Sequence, residues 1–316
     1  MTLAILGALW YVGSNMTDFV FWKIALILSG MVYHAFRGQW RVLFFLTCVG
    51  ASAVFSEKPF ESVWGIHANW SHGFVPAVIY CLLLKCPTDL RWVRWVGVAL
   101  AAHCLIQQAG WDPVVAKSIL PAGRSLGWIG SCIDAGAVLA MTVPFAGPWL
   151  PLVLAGLWAT GSRGALLGAA FALCPAKYRL WLLPVFLIPF FLKAPKDVAR
   201  VELWRMAWPG ALEKPVLGHG PSTYQLTFQR LRTKRLVDAV GEKYLQGHAH
   251  NDILEAAHSI GLLGLLAYLL LVIPMLSHPS LLALFVTVKF NPVGFETIAV
   301  AALISAGYLN TVTKKS

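Results

Sequence analysis

The chain has 316 residues, 58% of them hydrophobic and 12% charged, and its mean hydropathy is +0.68. That balance excludes a water-soluble globular domain of ordinary composition and points to an integral membrane protein. The formal net charge of +11 does not point to nucleic acid, because the basic residues sit in short breaks between apolar runs and in one polar segment, where anionic lipid at a membrane surface suits them better.

A helix needs about twenty mostly apolar residues to cross the hydrocarbon of a bilayer. Apolar runs bounded by breakers fall near 2–14, 17–36, 40–56, 73–86, 92–109, 126–146, 148–160, 164–175, 179–192, 253–276, 280–290 and 294–310. The expected fold is therefore all-α: a polytopic transmembrane bundle of about 10–12 spans, residues 1–316 forming one membrane domain. The first run, from Leu3 to Val12, has neither a basic flank nor a small-residue cleavage site, and is expected to be an uncleaved span. The shortest runs read as half-helices or re-entrant segments shielded by protein. Six cysteines, Cys48, Cys81, Cys86, Cys104, Cys132 and Cys174, lie in or beside apolar runs without a CxxC pair, and are expected to be small buried hydrophobes outside any disulfide or metal site.

Orientation follows from Lys and Arg, which short cytoplasmic loops retain. Arg37 and Arg41, then Lys85, Arg91 and Arg94, then Lys177 and Arg179, and finally Lys314 and Lys315 thread onto one side. This puts both termini in the cytoplasm and faces outward the breaks at 56–72, 110–125, 161–163 and the long segment 193–250. That last segment carries Lys193, Lys196, Arg200, Arg205, Lys214, Arg230, Arg232, Lys234, Arg235 and Lys243. Such a segment is either a solvated loop lying on lipid headgroups or an anion site.

Three stretches carry candidate chemistry. Gly161-Ser162-Arg163-Gly164 sets an arginine at the boundary of two apolar runs, where it either snorkels or serves a function. A guanidinium fork suits phosphate better than an ammonium does. Next, Arg200-Val-Glu-Leu-Trp204-Arg205-Met-Ala207 has helical spacing and reads as an amphipathic surface helix, ended by Pro215-Val-Leu-Gly218-His-Gly220. Arg200 and Trp204 share a face at i and i+4. Trp204 and Trp208 are interfacial anchors or a stacking platform. Last, Gln246-Gly-His248-Ala-His250-Asn251-Asp252-Ile-Leu-Glu255 precedes the apolar run Ile260 to Leu276. Asp252 and Glu255 have the spacing of a capping box that starts a helix. His248 and His250 just before it are either polar loop residues or proton carriers that work near neutral pH, and no HExxH-type framework makes them metal ligands.

In this order the stretches resemble the O-antigen ligase and O-antigen polymerase family of bacterial membrane proteins. The shared features are an SRG turn (Ser162-Arg163-Gly164), an R-x-x-x-W…P-x-x-G-x-G stretch (Arg200, Trp204, Pro215, Gly218, Gly220) and an H-N-x-x-L motif (His250-Asn251-Asp252-Ile253-Leu254) followed by Gly261-Leu-Leu-Gly264. Weaker echoes are Ser56-Glu-Lys-Pro-Phe-Glu-Ser62, Gln108-Ala-Gly110-Trp-Asp-Pro113 and Gly127-Trp-Ile-Gly130-Ser-Cys-Ile-Asp134. The chain departs from the family in its short length and in Cys132-Ile-Asp134, where an Asn-rich stretch is more usual.

The resemblance implies a membrane glycosyltransferase that needs no metal or other cofactor. Its partners would be an undecaprenyl-diphosphate-linked glycan as donor, a lipid or glycan acceptor and the surrounding lipids, with no nucleic acid. The implied place is the inner (plasma) membrane, with the site on its external face. On chemical grounds His250 is the expected general base with His248 second, and Arg163 and Arg200 are expected to grip the leaving diphosphate with Arg205 in reserve. Trp204 and Asn251 are expected to bind substrate, and Gly218 and Gly220 to let backbone approach the donor. A polymerase shares the donor chemistry, and a lipid or glycan transporter is the non-enzymatic alternative, although no internal repeat is visible.

Overall fold

The computed structural model describes residues 36, 39–65, 73–86, 89–112, 123–179, 195–242, 246–289, 293 and 295–313. The expected spans at 2–14, 17–36 and 179–192 fall outside these, apart from the terminal residues 36 and 179. Among the described residues regular structure is helical throughout, as expected for an all-α chain. The helices are α1 Trp40–Val54, α2 Pro59–Trp64, α3 Phe74–Leu83, α4 Arg91–Gln108, α5 Cys132–Thr142, α6 Leu150–Ala159 and α7 Arg163–Leu173. They continue with α8 Pro195–Glu213, α9 Tyr224–Leu231, α10 Lys234–Val240, α11 Asp252–Val272, α12 Pro279–Thr287 and α13 Phe295–Thr313. Short 3-10 turns join α5 to α6 and extend α11 to Ser277.

Each expected span within the described residues coincides with a helix. The largest displacement is at α5, which starts at Cys132 rather than near 126 because Gly127 and Gly130 take φ of 59° and 79°, incompatible with a right-handed helix. Among the described residues one helix, Asp252–Ser277, is long and apolar enough to cross a bilayer unaided. The other apolar helices are shorter, so the described structure supports one crossing by length and leaves the bundle as an expectation.

Three cores organise the described residues. In the largest, Leu100 of α4, Leu139 and Met141 of α5, Leu157 of α6, Ala169 of α7, Ala283 of α12 and Ile304 of α13 meet. The second joins α1, α2 and α3 to Ile260 of α11. The third joins α8, α9 and α10 to Ala249, just before α11. Small residues set the helix spacing. A Cβ on Gly156 of α6 would lie 2.5 Å from the Ala101 Cα of α4, and one on Gly168 of α7 would lie 2.3 Å from the Ala283 carbonyl oxygen of α12. Backbones in such contact gain dispersion even where there is no water to expel.

Two of the arginines expected on the cytoplasmic side cover helix ends. Arg94 Nε donates to the Phe145 carbonyl at 2.8 Å, and Arg179 Nε donates to the Cys174 carbonyl, just past α7, at 3.1 Å. Positive charge there complements the partial negative charge of a helix C-terminus. None of the six cysteines is in a disulfide; Cys48, Cys81 and Cys104 are buried as expected, whereas Cys86, Cys132 and Cys174 are half-buried.

Candidate functional site at the start of α11

The H-N motif sits where α11 begins. Asn251 is the N-cap, its Oδ1 accepting from the Ile253 and Leu254 amides at 3.1 and 3.2 Å while its Nδ2 donates to the Lys289 carbonyl at 3.3 Å. This corrects the expected capping box: the cap is Asn251, and neither Asp252 nor Glu255 fills the role. Asp252 instead pairs with Lys289 Nζ and accepts the Tyr268 hydroxyl at 2.6 Å. Buried Glu255 turns back, its Oε2 accepting from the Ala249 amide at 2.7 Å and its Oε1 from the Ser259 hydroxyl at 3.1 Å. His248 is buried, and His250 adopts φ of 56°, a left-handed conformation uncommon for a residue other than glycine.

The C-terminus of α12 carries the SRG turn to this point. The Val288 carbonyl accepts the Asp252 amide at 3.3 Å, and the Thr287 hydroxyl, which donates to Ala283 at 2.8 Å, lies 3.4 Å from the Gly164 carbonyl. Arg163, the first residue of α7, is exposed beside that glycine. Two cations missing from the expected set stand nearby: Lys289, and Arg124, whose Nε donates to the Thr160 carbonyl at 2.9 Å. Their signal in the sequence was slight, since Arg124 is one basic residue at the end of an outward break and Lys289 stands near the end of the apolar run 280–290.

Arg200 and Trp204, both half-buried, lie on α8, as does Arg205. The third core packs Ala199 and Leu203 of this helix with Ala249, so α8 lies against the His248–His250 turn. Arg205 Nη1 donates to Glu202 at 2.8 Å, and the Thr233 hydroxyl donates to the same buried carboxylate at 3.1 Å, tying α8 to the start of α10. The expected amphipathic surface helix needs correcting here. The helix is present and ends before Lys214, but its packed stripe includes Glu202 while its exposed side carries Trp208 and Leu212, so its two faces do not divide by polarity.

The glycines of the P-x-x-G-x-G stretch serve a joint between elements. Helix α11 is broken at Gly261, with φ of 67° and ψ of −178°, and the loop after α8 fills the break. The Leu262 amide donates to the Pro215 carbonyl at 2.7 Å, the His219 amide to His258 at 3.0 Å and the Gly220 amide to Ser259 at 2.9 Å. The Ser52 hydroxyl of α1 also donates to Ser259, at 2.7 Å, and the Ser56 hydroxyl to His219 at 3.0 Å. Backbone groups freed by the break are thus re-paired by the loop, as buried polar groups require. Gly218 and Gly220, with φ of 71° and 105°, approach protein: a Cβ on them would lie 2.5 Å from the Ser259 carbonyl carbon and 2.1 Å from Ser56 Oγ. The close approach once expected to serve the donor is made here to α11 and Ser56.

His219, between those glycines, was not singled out by the sequence. Its ring stacks on His258 with centroids 4.7 Å apart, its Nε2 donates to Gly210 at 2.8 Å, and its Nδ1 faces Glu57 at 3.2 Å. Glu57 also accepts from Lys214 at 2.8 Å, a bond that with the neighbouring His219 holds its carboxyl below the usual range. Gly261→Ala should destabilise this joint, because left-handed backbone in an alanine costs about 1–3 kcal/mol, and the added Cβ would lie 2.2 Å from the Val216 carbonyl oxygen. The thermal midpoint in detergent should drop by about 5 °C or more; an unchanged midpoint would show that the break tolerates a side chain.

A cavity of about 330 Å³ opens along α11. His248, His250, Asn251, Asp252 and Glu255 line its polar end, and Leu271, Met275, Leu281, Phe285 and Ala301 line the apolar remainder. Of the expected site residues it gathers His248, His250 and Asn251; Arg163, Arg200, Trp204, Arg205, Gly218 and Gly220 lie outside its wall.

Comparison with known proteins bears on this region. Residues 183–269 match the family model described as O-Antigen ligase. The resemblance to the O-antigen ligase family is borne out. A curated protein of Rickettsia conorii, named as a candidate polysaccharide ligase, is 31% identical over 88 residues, which make up 27% of this chain. The chain spans 21% of that relative's length. The O-antigen ligase match runs from before α8 into α11, so it contains Arg200, Trp204, Arg205, both motif glycines, His248, His250 and Asn251, while Arg163 lies upstream of it.

Proposed function

We propose that this protein is a polytopic membrane glycosyltransferase that moves a glycan from undecaprenyl diphosphate onto an acceptor hydroxyl at the external face of the inner membrane. The observation that carries this is the cavity, whose polar end holds two histidines and whose remaining lining is apolar, as the mouth of a site for a lipid-linked donor would be. The acceptor oxygen attacks the anomeric carbon, His250 takes its proton, and the bond to the diphosphate breaks. Arg163 on α7 and Arg200 on α8, outside the cavity wall, are assigned to the charge that gathers on the departing polyprenyl diphosphate. His248 is the second candidate for the base. Asn251 shapes the wall as the cap of α11, while Trp204 and Arg205, the latter held by Glu202, bind substrate from α8 outside that wall. No cofactor is required.

Several features support the membrane setting. Exposed aromatics sit at the ends of α1, Trp40 and Phe55, and of α6, Trp149 and Trp158, as amphipathic rings do near bilayer headgroups. Glycine contacts between α4 and α6 and between α7 and α12 follow the packing of helices in lipid. A reporter fused after Gln246 should then be external, and one after Arg91 or Lys177 cytoplasmic; the opposite result would overturn the mechanism, because the lipid-linked donor is presented outside.

A polymerase would use the same donor chemistry with a glycan end as acceptor. The deciding experiment supplies purified protein in liposomes with a synthetic polyprenyl-diphosphate oligosaccharide and either a lipid-core or a glycan acceptor. The expected result is transfer to one acceptor with release of polyprenyl diphosphate. Intact donor with correctly inserted protein would overturn the proposal.

A further inference from the structure

We infer that Glu255 is the positioning residue for the His248–His250 turn, a role that rests on the proposed function of His250 as base. Three observations converge on it. The Glu255 carboxylate reaches back over the start of α11 and accepts the amide of Ala249, the residue between the two histidines, at 2.7 Å. The next residue, His250, is held at φ of 56°, a conformation that costs a residue other than glycine free energy and persists only when its surroundings over-determine it. Glu255 and both histidines line the same cavity end.

The carboxylate is itself fixed. Its second oxygen accepts the Ser259 hydroxyl at 3.1 Å, and the Ser259 carbonyl receives the Gly220 amide at 2.9 Å and the Ser52 hydroxyl at 2.7 Å. The turn carrying the base is thereby fastened through one side chain to the joint between α1, the motif loop and the break in α11. With the Ala249 amide anchored, the chain turns left-handed at His250, and Asn251 then caps the helix. The Glu255 side chain acts through the backbone and exchanges no proton with substrate.

This geometry asks for an acceptor at Ala249 and a polar group at Ser259, which a carboxamide also supplies, so the role depends on shape rather than charge. Glu255→Gln should keep turnover of a synthetic polyprenyl-diphosphate oligosaccharide within about tenfold of the unaltered protein. Glu255→Ala should lower kcat by about a hundredfold, the loss expected of a displaced base, with KM little changed. Hydrogen exchange gives a readout independent of activity: the Ala249 amide should be protected in the unaltered protein and in Glu255→Gln, and exchange rapidly in Glu255→Ala. A Gln variant as impaired as the Ala variant while its Ala249 amide stays protected would overturn the inference, as would an Ala variant with normal kcat or a protected amide. If exchange follows this pattern while His250→Ala turns over donor normally, the positioning stands and the base assignment fails.

Discussion

His250→Ala is expected to lower glycosyl transfer by about a hundredfold or more while leaving donor affinity nearly intact, the signature of a lost general base. Replacement also changes the backbone preference at a residue with φ of 56°, so alanine alone does not separate chemistry from strain. Asparagine does, because it tolerates the left-handed region but has no basic nitrogen. His250→Asn should therefore fold as the unaltered protein does and be as inactive as His250→Ala. His248→Ala should cost less in turnover. Normal activity in a well-inserted His250→Asn protein would move the base elsewhere along the cavity, with His248 the nearest alternative.

The second large effect is expected at the arginines. Arg163 begins α7, whose Gly164 meets Thr287 of α12, and Arg200 lies on α8, which packs with Ala249. If both grip one diphosphate, Arg163→Lys and Arg200→Lys should each cut activity by about tenfold to a thousandfold, because an ammonium keeps the charge but not the two-pronged hydrogen bonding. A snorkelling arginine would tolerate lysine. The double variant should lose less than the product of the single losses, since groups that act on one charge are not additive. Fully multiplicative losses, or lysine variants with normal turnover, would show that the two guanidinium groups do not share a ligand.

Apolar runs and their breakers placed the described apolar helices, because run length and the Gly and Pro that stop it are local properties, whereas α2, α9 and α10 lie in polar segments that gave no such signal. The order of the SRG, P-x-x-G-x-G and H-N motifs was likewise readable along the chain, and it led to the family. What the tertiary structure decided were the partners. The Asp252 and Glu255 spacing predicts a capping box, yet the adjacent Asn251 has the better cap geometry once Lys289 arrives from α12, and Glu255 is left to hold Ala249. Gly218 and Gly220 signal close approach, but only the break at Gly261 reveals that the surface approached is α11. His219 gave no periodic signal, and its stack on His258 joins residues 39 positions apart. Local spacing determines where a helix begins and ends, whereas a hydrogen bond between distant segments depends on how the cores bring them together, which no short window of sequence contains.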